Sequence, residues 1–286
     1  MGTEAGEIHR GLKGVYFDTS EASFIDGSLG KLLYRGYNIH DLAEQSTFEE
    51  VTYLLLYGHL PTERELETLD SSLRDNRGLP EEVVDIIRLI KNCHPMDVLR
   101  TGISALSAFD PEAEDKSIDA TRRKGIRLTS QAVSIVTAHH RIRQGLEPVN
   151  ADPSLNHAGN FLYMLTGQKP MDQETNLMDV DFILHSEHGS NASAFAARVT
   201  ASTLSDLHSA VVTGVGTLKG PLHGGAAESV MKMAQDIGDP ANAENYARTT
   251  IENGERIMGF GHRVYRAEDP RARHLRERAR VLGEQK

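Results

Sequence analysis

Helix-forming patterns run through most of the chain and constrain its fold more than any other sequence feature. Two stretches begin with a capping-box pattern, Thr47 with Glu50 and Thr62 with Glu65. Gly58 follows the first as a helix stop, and the stretch 81–91 after a proline carries five apolar residues at helical spacing. These patterns predict a protein built mainly from α-helices.

The same spacing recurs along the middle of the chain, and strand signal is confined to the N-terminal part. The stretch 14–34 alternates around Asp26-Gly27 like a small hairpin. We therefore predict an all-α fold with one short N-terminal β-hairpin. The further predicted helices span 97–108, 126–143, 156–165, 178–185 and 192–212.

Five glycines and one proline between Gly214 and Gly225 mark the best candidate for a domain boundary. Glycines can absorb large backbone changes, as hinge residues must. Beyond them, helices are predicted over 226–236, over 243–254 and after Pro270. We divide the chain into a large helical domain, 1–218, and a smaller helical domain, 219–286.

Composition narrows the class of protein. The 286 residues carry a net charge of −10, with 39% hydrophobic and 25% charged residues, which is typical of a globular protein and argues against nucleic-acid or anionic-membrane binding. No apolar run approaches the ~20 residues that span a bilayer, and the first residues lack the apolar core of a signal peptide. Cys93 is the only cysteine, so no intrachain disulfide can form. We expect a cytoplasmic protein.

The run 259–271, Gly-Phe-Gly-His-Arg-Val-Tyr-Arg-Ala-Glu-Asp-Pro-Arg, places His262 between glycines and follows it with Arg266 and Arg271. His223 lies in a second glycine-rich segment, Gly-Pro-Leu-His-Gly-Gly. Histidine exchanges protons near neutral pH, and arginine binds planar oxyanions through two parallel hydrogen bonds. The two segments predict a small-molecule site for carboxylates or phosphates.

The position of these histidines leaves other roles open. His223 precedes a predicted helix, whose N-terminal dipole favours a neutral imidazole that donates a hydrogen bond; a histidine that caps a hinge turn would have the same pattern. His262 can equally be a buried structural histidine. Seven arginines lie between 263 and 280, and those from 273 onward fit either an anion site or an exposed amphipathic helix.

Two other chemistries are disfavoured. His185 and His188 are three residues apart, one helical turn, so both could face one way like a metal-binding pair. The His-Glu-x-x-His pattern is absent and no third ligand follows, so we predict no metal. In Thr217-Leu218-Lys219-Gly220 the lysine precedes the glycine, which rules out a phosphate loop of the Gly-Lys-Ser/Thr type.

Taken together, these segments closely resemble the citrate synthase family. The run 259–271 matches the family signature Gly-aromatic-Gly-His-x-Val-x-Arg-x-x-Asp-Pro-Arg. Four other blocks resemble the family in the same order, at 23–27, 94–101, 185–193 and 220–225. The resemblance implies a large helical domain carrying a smaller one, a homodimer, and the condensation of acetyl-CoA with oxaloacetate. Acetyl-CoA would be a co-substrate, with no permanently bound cofactor.

The resemblance also implies roles for individual residues. His223 resembles the donor to the enolate oxygen, and His262 the histidine that polarises and protonates the ketone. His188 resembles an oxaloacetate ligand, and Arg271 an arginine that clamps an oxaloacetate carboxylate. For CoA, the resemblance implies a phosphate ligand and a backbone that recognises adenine, namely Arg266 and the loop Gly259, Phe260 and Gly261. The small, apolar stretch 192–218 is the expected dimer contact.

The chain departs from the family pattern after Arg271. The family's catalytic aspartate lies C-terminal to that position, where this sequence offers only Glu277 and Glu284 as acids. We therefore expect the 286 residues to lack the carboxylate base and to show almost no turnover. The alternatives are a 2-methylcitrate synthase that uses propionyl-CoA, which the motifs do not separate, and a non-catalytic fragment that dimerises and binds oxaloacetate weakly.

Overall fold

The computed structural model describes His9, Val15 and residues 17–283. A three-stranded antiparallel sheet opens this part, with strands β1 Ser23–Asp26, β2 Lys31–Tyr34 and β3 Tyr37–Asn38 in that order. The first two form the predicted hairpin, shorter than the stretch 14–34, of which 14 and 16 lie outside the described residues. The third strand was not predicted, because two residues pairing after a tight turn leave no alternation to detect.

Thirteen α-helices follow in residues 17–283, which confirms the helical prediction. None of the described helices is long and apolar enough to cross a membrane. In chain order they are α1 Ile39–Gln45, α2 Phe48–Tyr57, α3 Glu63–Asp75, α4 Glu81–Leu89, α5 Pro95–Leu106, α6 Ile118–Arg143, α7 His157–Thr166, α8 Asp172–His185, α9 Ala192–Ser202, α10 Leu207–Leu218, α11 Gly225–Ile237, α12 Ala243–Glu252 and α13 Ala272–Gly283.

The predicted capping signals begin and end helices as expected. The Thr47 hydroxyl accepts a hydrogen bond from the Glu50 amide at 3.2 Å, and the Glu50 carboxylate accepts one from the Thr47 amide at 2.7 Å. The Glu65 carboxylate accepts from the Thr62 amide in the same way, at 2.8 Å. Gly58 closes α2 with a φ of +91°. Each cap satisfies backbone groups that the helix itself leaves unpaired.

The prediction of one helix over 192–212 is wrong, because a turn separates α9 from α10. Leu204 takes a φ of +62° in this turn. The Asp206 side chain then accepts a hydrogen bond from the Ser209 amide at 2.9 Å and starts α10. A capping aspartate thus overrides apolar spacing that is continuous in the sequence.

The glycine cluster interrupts the helical structure later than predicted. Gly214 and Gly216 lie inside α10, and the backbone leaves the helix only after Leu218. A Cβ at Gly214 would lie 3.6 Å from the Ser193 carbonyl oxygen, so this glycine lets α10 approach α9 closely. Two of the five glycines thus serve helix packing rather than a break.

Two large apolar clusters lie in the part of the chain before residue 218. The first joins β2, α1, α2 and α8. The second joins α4, α5 and α6, with α10 packed against them. The fully buried members of the first include Leu32, Ile39, Val51, Leu54, Ile183 and Leu184, and those of the second include Val83, Ile87, Val98 and Ile135.

The helices after residue 218 are held differently. No residue of α11 is buried, and α12 buries only Thr250. In α13, His274 is buried, and Leu275 packs against the first apolar cluster. The stretch 253–271, which carries the signature run, joins α12 to α13 without forming a helix.

Candidate active site

The turn between β1 and β2 holds the signature run in place. The Gly27 carbonyl oxygen accepts hydrogen bonds from the Arg266 amide at 2.7 Å and the Ala267 amide at 3.3 Å. A Cβ on Gly27 would lie only 2.1 Å from the Val264 carbonyl oxygen. Only glycine allows this approach, so the N-terminal sheet positions a loop more than two hundred residues away in sequence.

His262 is oriented by two backbone amides that follow it in the same loop. Its Nδ1 accepts hydrogen bonds from the amides of Val264 at 3.1 Å and Tyr265 at 3.0 Å. A neutral imidazole has one N–H and one acceptor nitrogen, so these two donors place the ring hydrogen on Nε2. Desolvation of the ring lowers the pKa of His262, with the Asp269 carboxylate opposing the shift. The neutral side chain can therefore donate a hydrogen bond through Nε2.

His188 lies beside His262, with 5.5 Å between the ring centroids. Its Nε2 is 3.1 Å from the Tyr265 hydroxyl. Burial, followed by the positive charge of Arg271, lowers the pKa of His188 to about 4. The ring is therefore neutral at pH 7.

The loop that carries His188 is fastened to the first strand. The Gly189 amide donates hydrogen bonds to the Ser23 hydroxyl at 3.1 Å and to the Glu187 carboxylate at 2.6 Å. The helix α8 ends at His185, whose Nδ1 bonds back to the Asp181 carbonyl oxygen. The prediction that His185 and His188 could share one helical face is therefore wrong, because His188 lies in the loop beyond the helix.

Arg271 completes this cluster and is held by Asp269. Its Nε lies 3.0 Å from one carboxylate oxygen and one Nη lies 2.7 Å from the other. Burial alone would raise the pKa of Asp269, but the hydrogen bonds from Arg271 hold it below its usual value. A guanidinium has five N–H donors, so an arginine oriented in this way can still bind a second carboxylate.

His223 lies in the turn that precedes α11, as its predicted position before a helix requires. Its Nε2 is 2.9 Å from the Ser193 hydroxyl, in the first turn of α9. Ser193 lies five residues after His188, so the stretch of chain that carries His188 also contacts His223.

The residues predicted to bind CoA flank His262 and Tyr265 in the signature run. Arg266 and Phe260 have exposed side chains. Gly259 and Gly261 both take a φ of +86°, and a Cβ on Gly259 would lie 3.0 Å from a methyl group of Val230 on α11. This glycine loop therefore lies against α11, and the side chains of Phe260 and Arg266 are at the surface.

Sequence reasoning missed three contributors to the cluster. Tyr265 and Asp269 belong to the signature run itself, where a tyrosine and an aspartate beside a histidine and an arginine were the available signal. Ser193 lies in the block 185–193 and gave no separate signal. In the described ranges no group of three or more histidine, cysteine or acidic side chains is arranged to hold a metal ion.

Comparison with known proteins gives one consistent result. A sequence profile described as "Citrate synthase, C-terminal domain" matches residues 11–286. A citrate synthase of Deinococcus radiodurans is 47% identical over 273 residues, covering 95% of this chain and 72% of that protein. A 2-methylcitrate synthase of Mycobacterium tuberculosis is 43% identical over 281 residues, covering 98% of this chain and 71% of that protein.

A solved structure resembles this fold over nearly the whole length of this chain. Citrate synthase from Thermoplasma acidophilum, in a ternary complex with carboxymethyl coenzyme A and oxaloacetate, superposes with a TM-score of 0.92 at 34% identity. The superposition covers 99% of this chain and 74% of that one.

Proposed function

This chain belongs to the citrate synthase family, and we propose that it condenses acetyl-CoA with oxaloacetate to give citrate and free CoA. The observation that carries this proposal is the arrangement of His262, which is held as an Nε2–H donor beside neutral His188 and the Arg271–Asp269 pair. Such a site presents a hydrogen-bond donor to a ketone and a fixed cation to the neighbouring carboxylate.

The proposed reaction starts with the loss of a methyl proton from acetyl-CoA, which leaves an enolate. We propose that His223 donates a hydrogen bond to the enolate oxygen. The enolate carbon then attacks the ketone carbon of oxaloacetate, and His262 gives its Nε2 proton to the ketone oxygen as the C=O π bond breaks. The imidazolate that remains regains a proton from the protonated base. His188 and Arg271 bind oxaloacetate. Water then cleaves the citryl thioester, and CoA leaves as the free thiol.

The base that removes the methyl proton is not among the residues assigned here. In residues 17–283, the carboxylates hydrogen-bonded in this cluster are Asp269, which binds Arg271, and Glu187, which accepts from Ser23 and Gly189. Both are occupied by other donors. We propose that the 286 residues alone turn over very slowly, and that the reaction needs a carboxylate from outside this set.

The test is the release of free CoA thiol from acetyl-CoA with oxaloacetate, measured on the 286-residue chain and on the same chain extended by the C-terminal segment of a relative. In an active form, His223→Ala should slow citrate formation by about a hundredfold or more, the usual effect of losing one oxyanion donor. Arg271→Ala should raise the KM for oxaloacetate by roughly 10- to 100-fold, because a charge-assisted hydrogen bond is lost.

Two exposed residues provide matched controls. His59→Ala and Arg248→Ala remove the same side-chain types away from the cluster and should leave both parameters unchanged. An active enzyme that keeps its rate after His223→Ala would contradict the enolate role. Rapid turnover by the 286-residue chain would contradict the proposal that the base comes from elsewhere.

A second acyl substrate is supported by the Mycobacterium tuberculosis relative, whose identity of 43% is close to that of the citrate synthases. Propionyl-CoA differs from acetyl-CoA by one methylene, which a hydrophobic pocket distinguishes by only about 10- to 200-fold. Equal or faster turnover with propionyl-CoA would assign the chain to 2-methylcitrate synthesis instead.

We also propose that Arg266 and the loop Gly259–Gly261 bind acetyl-CoA as a co-substrate. We propose further that the domains divide after Leu218 and that the protein is cytoplasmic.

We propose that the protein is a homodimer whose two copies contact each other through α9 and α10. In the single chain, α9 buries no residue although its sequence is small and apolar, and Val199 and Leu204 are exposed. Small residues permit close helix approach, and sedimentation at micromolar concentration tests the dimer.

A further inference from the structure

Tyr265 contacts both His188 and His262. Its hydroxyl lies 3.1 Å from His188 Nε2, and its backbone amide lies 3.0 Å from His262 Nδ1. The ring centroids are 5.5 Å from His188 and 4.8 Å from His262. Tyr265 is 4% exposed, in a run where the residues on either side of it are exposed. The Tyr265 side chain is therefore buried in the site, whereas its neighbours in the chain face solvent.

Both partners of the hydrogen bond between Tyr265 and His188 are neutral at pH 7. Burial, with a smaller contribution from Asp269, raises the pKa of Tyr265 to about 12, so its phenol keeps its proton at neutral pH. His188 is neutral there, because burial and Arg271 lower its pKa to about 4. A phenol hydroxyl can donate or accept, and a neutral imidazole has one N–H and one accepting nitrogen, so the distance alone allows two directions. A hydrogen bond from the ring to the His188 backbone raises the pKa of His188, which favours the direction in which Tyr265 donates to Nε2 and the His188 hydrogen lies on Nδ1.

The two histidines then hold opposite tautomers. His262 carries its hydrogen on Nε2, since its Nδ1 accepts from two backbone amides. We propose that Tyr265 is a positioning residue that holds His188 as the Nδ1–H tautomer through its hydroxyl and helps to hold His262 as the Nε2–H tautomer through its amide. Which ring nitrogen can donate to a ligand is set by the hydrogen bond that the other nitrogen makes.

This inference rests on the proposed function, because the tautomers matter through the groups they present to oxaloacetate. An Nδ1–H on His188 and an Nε2–H on His262 give the ligand two neutral donors beside the Arg271 cation. A histidine that exchanged freely between tautomers would present an acceptor part of the time, and an acceptor repels a carboxylate or a ketone oxygen.

The experiment is nitrogen-15 NMR of the imidazole rings in the 286-residue chain, from pH 6 to pH 8, which needs no turnover. The His188 signals are assigned by their loss in His188→Gln. The wild type should show His188 with its hydrogen on Nδ1 and His262 with its hydrogen on Nε2. In Tyr265→Phe the ratio of Nε2–H to Nδ1–H at His188 should rise roughly tenfold, as expected for the loss of one net hydrogen bond.

Two controls separate positioning from packing. The His262 tautomer should persist in Tyr265→Phe, because the backbone amides remain. Tyr37→Phe, at an exposed tyrosine of β3, should change neither ring. An unchanged His188 tautomer in Tyr265→Phe would overturn the inference. So would an Nε2–H His188 in the wild type, a result that decides the question even if the variant does not fold.

Calorimetry with oxaloacetate distinguishes this inference from the proposed function. If the wild type binds oxaloacetate, Tyr265→Phe should weaken the affinity roughly tenfold while Tyr37→Phe does not. Unchanged affinity in Tyr265→Phe would overturn the positioning role. If the wild type does not bind oxaloacetate, the proposed function is contradicted, and the tautomer comparison still decides what Tyr265 does.

Discussion

The helices before residue 218 and the helices α11 and α12 are held by different kinds of interaction. The first group shares two apolar clusters whose central side chains are fully buried. Along α11 and α12, only Thr250 is buried. Segments with few buried apolar contacts open at lower free energy than the core. Stability is therefore concentrated in one part of the molecule, whereas candidate site residues come from both parts.

Polar contacts join the two parts where the site lies. His188 meets Tyr265, Ser193 meets His223, and the carbonyl of Gly27 accepts from the signature run. Each contact contributes little stability, since a neutral hydrogen bond has a net value of about 1 kcal/mol. These contacts orient the site, and the apolar clusters supply the stable frame against which they are made.

The largest expected effect tests whether stability is concentrated as described. Ile183 on α8 is 0% exposed and Ile251 on α12 is 65% exposed. Ile183→Ala should lower the free energy of unfolding by about 2–5 kcal/mol, since it deletes buried methyl groups and leaves a cavity. Ile251→Ala makes the same chemical change and should alter it by less than about 0.5 kcal/mol. Urea denaturation measures both, and equal losses would refute the contrast.

The next effect tests the contact between the N-terminal turn and the signature run. Gly27→Ala should lower the free energy of unfolding by about 1–3 kcal/mol, because the new methyl group overlaps the Val264 carbonyl. Amide exchange over 264–267 should become faster. Gly78→Ala is the matched control, since a Cβ there meets nothing within 4 Å. If the two variants are equally stable, the turn does not hold the loop.

The smallest effect concerns the attachment of α13. His40 Nδ1 on α1 lies 2.8 Å from His274 Nε2 on α13, and burial is the main cause that lowers the pKa of both. Glu44 and Asp41 raise the pKa of His40, whereas Arg273 lowers that of both rings. For His274, Arg278 also lowers the pKa and Glu44 opposes the shift.

Proton binding decides whether the contact between α1 and α13 gains or loses stability as the pH falls. Because both pKa values are lower in the folded protein, the unfolded chain binds more protons just below pH 6.5, so the contact loses stability as the pH falls through that range. Hydrogen exchange of the α13 amides, corrected for intrinsic rates, should show less protection at pH 5.5 than at pH 7.5. His274→Phe should abolish most of this difference, and an unchanged difference would assign it to other groups.

Local rules explain how much of the fold was predictable. Capping residues act over three or four positions, so the starts of α2 and α3 and the end of α2 followed directly from Thr47, Thr62 and Gly58. The same rules explain the error over 192–212, where apolar spacing hid the turn at Leu204 that Asp206 makes possible. The signature run likewise made His262 and Arg271 candidates for the site without any structure.

Contacts between distant segments were not predictable in the same way. His188 and Tyr265 are 77 residues apart, and His40 and His274 are 234 apart. Periodicity and motif spacing describe neighbours along the chain. They do not indicate which loops come into contact after the helices pack. Residue types and helical segments were therefore readable from the sequence. The tautomers of the two histidines, the close approach of Gly27 and the role of Tyr265 depend on packing that brings remote segments within hydrogen-bond distance.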